Sequence, residues 1–344
     1  MPKLWCAALL AAFLVGCSPV APLRPGPTAP AAPLLGPAPP VRLGADDMTL
    51  LRSGPATFAR LRLLLDSAQT AVHLEMYEFN HPQLVGAVLA AHGRGVRVTV
   101  IDDPSEVSSA ATAARLRGAG LDVVDYPVRR LMIDHVKLLV VDSMVAVVGG
   151  INWGVRSPAN HDYDALVRGP VVSNLDRVFL RDLVTSGRRV AIPDAVTDPS
   201  VTVAATLPGA EVRPLALQLI NGATRTLDLE LFVLTDTAIV QALQDAERRG
   251  VRIRVLLDPS QHPSDPSYRT LIASGVAVRW YRSRGELLHA KAIVADASAV
   301  LFGSANWSGG GFDRNHELDV ELLDAPPVAT AMQAQMQLDW AASG

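Results

Sequence analysis

Two hydrophobic rhythms alternate along the chain from about Val41 onward. Phe58, Leu61, Leu64, Leu65 and Ala68 recur at steps of three and four residues, the stripe of an amphipathic helix. "AVHLEMYEF" from Ala71 changes to a period of two, as does "TLDLELFVL" from Thr226, and each predicts a strand. Val96 to Ile101 is a short β-branched apolar run of the kind buried on both faces of a sheet. Asn80 is expected to cap the next helix, with Pro82 in its first turn and Gly93 or Gly95 ending it, and a further helix is expected over 107–119. Strands alternating with helices predict an α/β architecture.

The rhythm occurs twice. "GVRVTVIDDPS" from Gly95 matches "GVRIRVLLDPS" from Gly250, and "LRGAGLDV" from Leu116 matches "LIASGVAV" from Leu271, both at a separation of 155 residues. "HVKLLVVDSMVAVVGGIN" from His135 matches "HAKAIVADASAVLFGSAN" from His289 at 154, and "NHDYD" from Asn160 matches "NHELD" from Asn315 again at 155. A constant separation over so long a stretch predicts two copies of one unit, 41–190 and 205–344, joined by the mixed polar, Pro and Gly segment at 187–207.

The N-terminus departs from both rhythms. Lys3 precedes an apolar stretch, Leu4 to Val15, too short to span a bilayer well, which stops at Gly16-Cys17. This resembles a bacterial lipoprotein signal peptide over 1–16, with Cys17 as the lipidated residue. The Pro- and Ala-rich stretch at 17–40 reads as an extended tether that would hold the folded part off a membrane. Cys6 and Cys17 are the only cysteines, so the repeated region has neither a disulfide framework nor a thiolate metal site. A net charge of −3 with no long run of one sign argues against bulk electrostatic binding of nucleic acid.

Within the long repeated motif, residues two apart on a strand share a face, so His135 points with Lys137 and His289 with Lys291. A core-facing lysine is costly unless an opposite charge compensates it, and two in matching places suggest an anionic ligand. The pairs Gly149-Gly150 and Gly303-Ser304 let the backbone approach closely, and Asn152 and Asn306 add amide donors. Asp142-Ser143 and Asp296-Ala297 are expected at hairpin turns.

The spacing His-x-Lys-x4-Asp-x6-Gly-(Gly/Ser)-x-Asn over 135–152 and 289–306 resembles the HKD motif of the phospholipase D superfamily. The resemblance implies a duplicated α/β sandwich whose halves pack as a pseudo-dimer, bringing both motifs to one active site. It implies a catalytic set of His135, Lys137, Asp142, His289, Lys291 and Asp296. Asn152, Asn306 and Ser304 would bind phosphate, while Asp162 and Glu317 would orient the histidines. Of that set, Asp142 and Asp296 are better suited to steadying turns than to chemistry. One histidine, His135 by analogy, would form a phosphohistidine while His289 serves as general acid and base, with no metal or cofactor. Two features depart from the family pattern. Gly150 replaces a common Ser, which would leave Ser304 as the lone phosphate-facing hydroxyl, and Asp162 is shorter than the usual Glu. His161 and His316 also match between halves, as do Glu75 and Glu230, the latter pair at the expected interface of the halves. Arg129, Arg130, Arg279, Arg282 and Arg284 precede the motifs and could rim the cleft.

The function expected on this resemblance is phosphatidyl hydrolysis or transfer by a monomer with an internal pseudo-dimer, held at the extracytoplasmic face of a bacterial envelope by its lipid anchor. A metal-independent nuclease is the alternative. The acidic net charge and scarcity of aromatics for base stacking count against it, and nucleic acid would be a partner only in that case.

Overall fold

The computed structural model describes residues 32–282 and 285–343. The expected signal peptide, Cys17, most of the tether, and Arg284 lie outside the described residues. The last part of the tether, 32–38, lies along the molecule: Ala38 donates its N–H to the Leu50 carbonyl, and Leu35 donates to the Gln335 side chain.

The first half carries strands β1 (Val41–Leu43), β2 (Asp46–Leu51), β3 (Ala71–Met76), β4 (Arg97–Asp102), β5 (Asp122–Asp125), β6 (Lys137–Val141), β7 (Val145–Gly149) and β8 (Asp164–Arg168). Its helices are α1 (Gly54–Ser67), α2 (Pro82–Gly93), α3 (Ala110–Gly118) and α4 (Val171–Thr185). The second half repeats the plan with β9 (Val201–Ala205), β10 (Thr226–Leu231), β11 (Arg252–Leu257), β12 (Ala277–Trp280), β13 (Lys291–Ala295), β14 (Ala299–Gly303) and β15 (Leu318–Leu322). Its helices are α5 (Val212–Gly222), α6 (Thr237–Arg248), α7 (Asp265–Ala273), α8 (Gly309–Asp313) and α9 (Pro326–Ala342).

One sheet runs β1-β2-β8-β7-β6-β3-β4-β5 and the other β9-β15-β14-β13-β10-β11-β12. The same strand order appears in both, with β1 added at the first sheet's edge. Registers repeat as well, Ala71 pairing with Arg97 in parallel and Thr226 with Arg252. The expected duplication is therefore a duplication of topology.

Helices cover the outer face of each sheet. The Leu61, Leu65, Val88 and Leu116 side chains of α1, α2 and α3 form one buried layer, and the matching layer of the second half holds Ile220, Leu243 and Leu271. The inner faces meet each other. Leu138, Val140 and Val148 share one core with Ala292, Val294 and Phe302, and α4 and α9 flank it through Phe179, Leu175, Met332 and Met336. This continuous apolar core fixes the two motif hairpins against each other. Asn80 does not cap α2. His81 holds that position, and the Asn80 side chain instead accepts from the Val155 N–H.

Candidate active site

His135 and His289 stand two residues before the lysines that open their strands. His135 donates its backbone N–H to the His316 carbonyl at 2.7 Å, and His289 to the His161 carbonyl at 2.8 Å. Each motif histidine is thus stitched by backbone to the opposite half. Lys137 and Lys291 open β6 and β13, paired across to Met76 and Leu231. Both lysines fold back onto their own histidine: Lys137 Nζ donates to the His135 carbonyl at 2.5 Å, and Lys291 Nζ donates to that of His289.

The imidazoles are tied crosswise. His135 Nδ1 lies 2.7 Å from Glu317 Oε2, and His289 Nδ1 lies 2.6 Å from Asp162 Oδ2. A carboxylate on Nδ1 fixes the tautomer and leaves Nε2 as the reactive nitrogen. Asp162 reaches its histidine despite its shorter side chain. His135, Lys137, His289, Lys291, Asp162 and Glu317 are all buried, so each half supplies an acceptor for the other and neither holds a complete set.

Burial dominates the electrostatics. It pulls the Lys137 ammonium down to about 7 and that of Lys291 to about 8, with nearby Glu317 and Asp162 opposing the fall. Burial, reinforced by Lys291, holds His289 at about 4, and burial together with Lys137 puts His135 well below its ordinary value. Burial likewise raises Glu317 to about 7. Two lysines with lowered ammonium values share this low-dielectric space with two imidazoles that are neutral at pH 7. A phosphodiester there would gain charge-assisted contacts and restore the lysines to their charged form.

Not every expected residue is in this group. Asp142 and Asp296 sit at the far ends of β6 and β13, in turns whose central residues all have φ between 51° and 55°. The Asp142 carboxylate accepts from the N–H groups of Gln69, Thr70 and Ala71, and that of Asp296 from those of Thr224, Arg225 and Thr226. They sit at hairpin turns at the ends of β6 and β13 away from the histidines, as turn chemistry suggests. Ser304 has a further role. Its hydroxyl donates to Glu317 Oε2 at 2.6 Å and accepts from the Leu318 N–H, so it steadies the acceptor of His135. Gly150 occupies the same position in the first half, where a Cβ would lie 2.1 Å from Asp162 Oδ1. The short carboxylate and the missing side chain are therefore one adjustment. The Oδ1 atoms of Asn152 and Asn306 are buried without a hydrogen-bond partner among the described residues, but an amide oxygen only accepts, so any phosphate contact falls to the Nδ2 donors, and the Asn152 amide also bonds Glu78.

Several residues were passed over in the sequence. Tyr77 and Phe232, at matching positions 155 apart, pack their rings 5.0 and 4.9 Å from His135 and His289 and lie 5.4 and 5.2 Å from the lysine ammonium groups. Asp164 and Asp319 accept from the N–H groups of Ile151 and Ala305 and so hold the loops that carry the asparagines. His161 and His316 lie outside the reaction centre. His161 Nε2 is 2.9 Å from Glu230 and 3.2 Å from Asp339, while His316 Nε2 is 3.0 Å from Asp182 and 3.8 Å from Glu75. Each is thus an ion-pair bridge from one half into the other, and Glu75 and Glu230 do belong to the interface. Arg279 does not rim a cleft: it donates to the Trp340 carbonyl at 2.7 Å and lies 4.2 Å over that ring.

Comparison with known proteins agrees with this geometry. The family model described as "Cardiolipin synthase, PLD-like domain" matches residues 61–183 and 216–340, one match in each half. A cardiolipin synthase of Geobacillus kaustophilus is 29% identical over 319 residues, 81% of this chain and 63% of the relative. Cardiolipin synthase A of Pseudomonas putida is 27% identical over 321 residues, 82% of this chain and 66% of the relative. The chain therefore spans slightly less than two thirds of the length of these curated relatives. In fold it resembles the phosphatidylserine synthase of Haemophilus influenzae, with a TM-score of 0.63 at 13% identity over 86% of this chain and 85% of that one. The polyphosphate kinase of Porphyromonas gingivalis gives 0.60 at 15%, over 86% of this chain and 50% of that one. Two copies of the matched unit, two HKD motifs and two histidines tied crosswise by carboxylates place the chain in the phospholipase D superfamily, as a member of its cardiolipin synthase, PLD-like domain family.

Proposed function

We propose that the protein is a phosphatidyltransferase acting at a bacterial membrane by metal-independent phospholipase D chemistry. The observation that carries this reading is the crossed pair His135–Glu317 and His289–Asp162, which joins two imidazoles and two buried lysines in one centre. Lys137, Lys291, Asn152 and Asn306 hold the non-bridging oxygens of the phosphodiester. Nε2 of His135 attacks phosphorus, and an N–P bond forms as the bond to the departing alcohol breaks. His289, protonated when the anion binds, gives its Nε2 proton to the leaving oxygen. It then takes a proton from the hydroxyl of an incoming alcohol. That oxygen bonds to phosphorus as the N–P bond breaks, and both imidazoles return to their starting states. Water in place of the alcohol gives hydrolysis.

The names of the matched relatives favour a lipid alcohol as acceptor. Lipidation of Cys17 would place the domain beside that substrate. Among the described residues no helix is long and apolar enough to cross a membrane.

The test is full-chain protein with phosphatidylglycerol vesicles in EDTA, with products identified by mass spectrometry. Cardiolipin or phosphatidic acid formed in chelator supports the reading. Loss of all turnover in chelator defeats the metal-free mechanism, and cleavage of DNA without a lipid product replaces this reading by the nuclease one. Replacing Cys17 by Ser is expected to move the protein from membrane to soluble fractions.

A further inference from the structure

An open cavity of about 810 Å³ lies beside the segment that carries Tyr126, whose ring stacks on His316. Arg129, Arg130, Arg181 and Arg314 line it. Among the described residues none of these four guanidinium groups makes a hydrogen bond or an ion pair within 4 Å, and Arg181 Nε is buried without a partner, although Arg181 acts at longer range on Glu75 and Arg314 on Asp313. The carboxylates in the wall are already engaged: Asp182 with His316 at 3.0 Å, and Asp313 with both terminal nitrogens of Arg213 at 2.6 Å. The remaining wall is mostly apolar, with Met132, Val184, Ile192 and Leu207 beside Thr185. At its edge Leu131, 75% exposed, is held at φ 65°, a strained setting for a leucine that turns it into solvent.

Duplication alone does not explain this feature. Tyr126, in the cavity wall, corresponds to Tyr281 in the second half, 155 residues on. Near it, Arg279 donates to the Trp340 carbonyl and stacks on that ring, as Arg254 does. Among the described residues, the four arginines of the first-half cavity make no such ring contact.

We propose that this cavity is a second lipid site, binding the phosphate of an anionic phospholipid between the four arginines and its acyl chains along Met132, Val184, Ile192 and Leu207. The charge is complementary, the wall is amphipathic in the sense such a lipid needs, and Leu131 enters the bilayer. The choice of occupant rests on the proposed phospholipid reading. The site is separate from the reacting phosphorus. Its wall residue Tyr126 stacks on His316 at 4.9 Å, next in sequence to Glu317, so the bound lipid seats the membrane against the reaction centre.

The test uses full-chain protein on phosphatidylcholine vesicles containing a phosphatidylglycerol with a photoactivatable acyl chain, with labelled peptides mapped by mass spectrometry. The anionic probe is expected to label 127–132 and 184–208 at least tenfold above a phosphatidylcholine probe of the same chain. The combined substitutions Arg129→Ser, Arg130→Ser and Arg314→Ser are expected to lower that labelling at least tenfold without lowering the melting temperature. If they lower it, Ile192→Arg, which charges the acyl wall, carries the same expectation. Equal labelling by both probes, labelling confined to other segments, or labelling that survives the substitutions overturns the proposal. Turnover of bis(p-nitrophenyl) phosphate by the unmodified chain tests the phosphodiesterase reading separately. Its failure beside strong anionic labelling sinks that reading and leaves the lipid site standing.

Discussion

Glu317, from the second half, accepts a hydrogen bond at 2.7 Å from Nδ1 of His135, from the first, and Asp162 serves His289 in the reciprocal sense. Catalysis therefore depends on the halves being docked as well as folded. Glu317→Gln and Asp162→Asn remove the negative charge that holds the imidazole tautomer and stabilises the imidazolium. Each is expected to lower kcat by on the order of a hundredfold to a thousandfold with little change in KM. Added to His135→Ala, Glu317→Gln should cost almost nothing further. Steady-state kinetics of the four proteins decides it, and additive losses would contradict the shared centre.

The two halves solve one steric problem differently. Ser304 fits beneath Glu317 and donates to it, whereas a side chain at Gly150 would meet Asp162 Oδ1 at 2.1 Å. Gly150→Ser alone is expected to displace Asp162 from His289 and abolish most turnover. Paired with Asp162→Glu it recreates the second-half arrangement and should recover part of the activity. The double-mutant cycle should give a favourable coupling of about 1 kcal/mol or more, and zero coupling would show the two departures to be unrelated.

Much of this centre was legible because a strand has a period of two and the chain states its motif twice. His135 with Lys137 and His289 with Lys291 follow from those facts alone. The crossed acceptors were not legible, because nothing in a linear separation says which half's histidine a carboxylate will meet. The bridge partners were hidden for a further reason. Asp182 and Asp339 play one role on α4 and α9 but stand 157 residues apart, where most of the repeat keeps 155, so aligning the halves separates them. Tyr77 and Phe232 did keep the offset. Their signal was missed because aromatic residues at strand ends read as ordinary core.

Anion binding should be linked to proton uptake. Burial lowers Lys137 to about 7 and Lys291 to about 8. In the unfolded chain both stay near 10.4. Between these values the unfolded state binds more protons, so the stability of the ligand-free protein rises with pH across that window. A bound anion reverses the sign by restoring the protonated lysines. Sulfate, whose charge is constant, should therefore bind more weakly by about tenfold per pH unit for each lysine as pH rises above 7 to 8. Calorimetric titration in buffers of different ionisation enthalpy measures the proton uptake, and pH-independent affinity would exclude the lysines as the anion's partners.

The His161 bridge has the opposite linkage. Burial alone would lower this imidazole, but Glu230 and Asp339 outweigh it and hold His161 at about 10. Its contribution to stability is complete below its ordinary value near 6.5 and is lost as pH climbs through 10. His161→Leu leaves two buried carboxylates without their cation and is expected to destabilise by about 3 to 5 kcal/mol. Denaturant unfolding measures that loss, and nitrogen chemical shifts should show the wild-type ring still protonated at pH 8.

The motif aspartates give the clearest separation of structure from chemistry. Asp142 and Asp296 each collect backbone N–H groups from the start of the neighbouring strand, and each holds a turn with positive φ at both central positions, none of them glycine. Burial nudges these carboxylates up, but the hydrogen bonds dominate and hold both below the ordinary value. Asp142→Ala should therefore cost about 1 to 3 kcal/mol of stability by orphaning those donors, while kcat measured well below the melting temperature stays within a few-fold of wild type. The contrast with Lys137→Ala, five positions earlier on the same hairpin, is what identifies the role. That change should barely alter the melting temperature downward, since it relieves a buried cation, yet should remove most of kcat. If Asp142→Ala instead abolishes turnover in a fully folded protein, the turn assignment is wrong and the aspartate acts on the reaction centre along the length of β6.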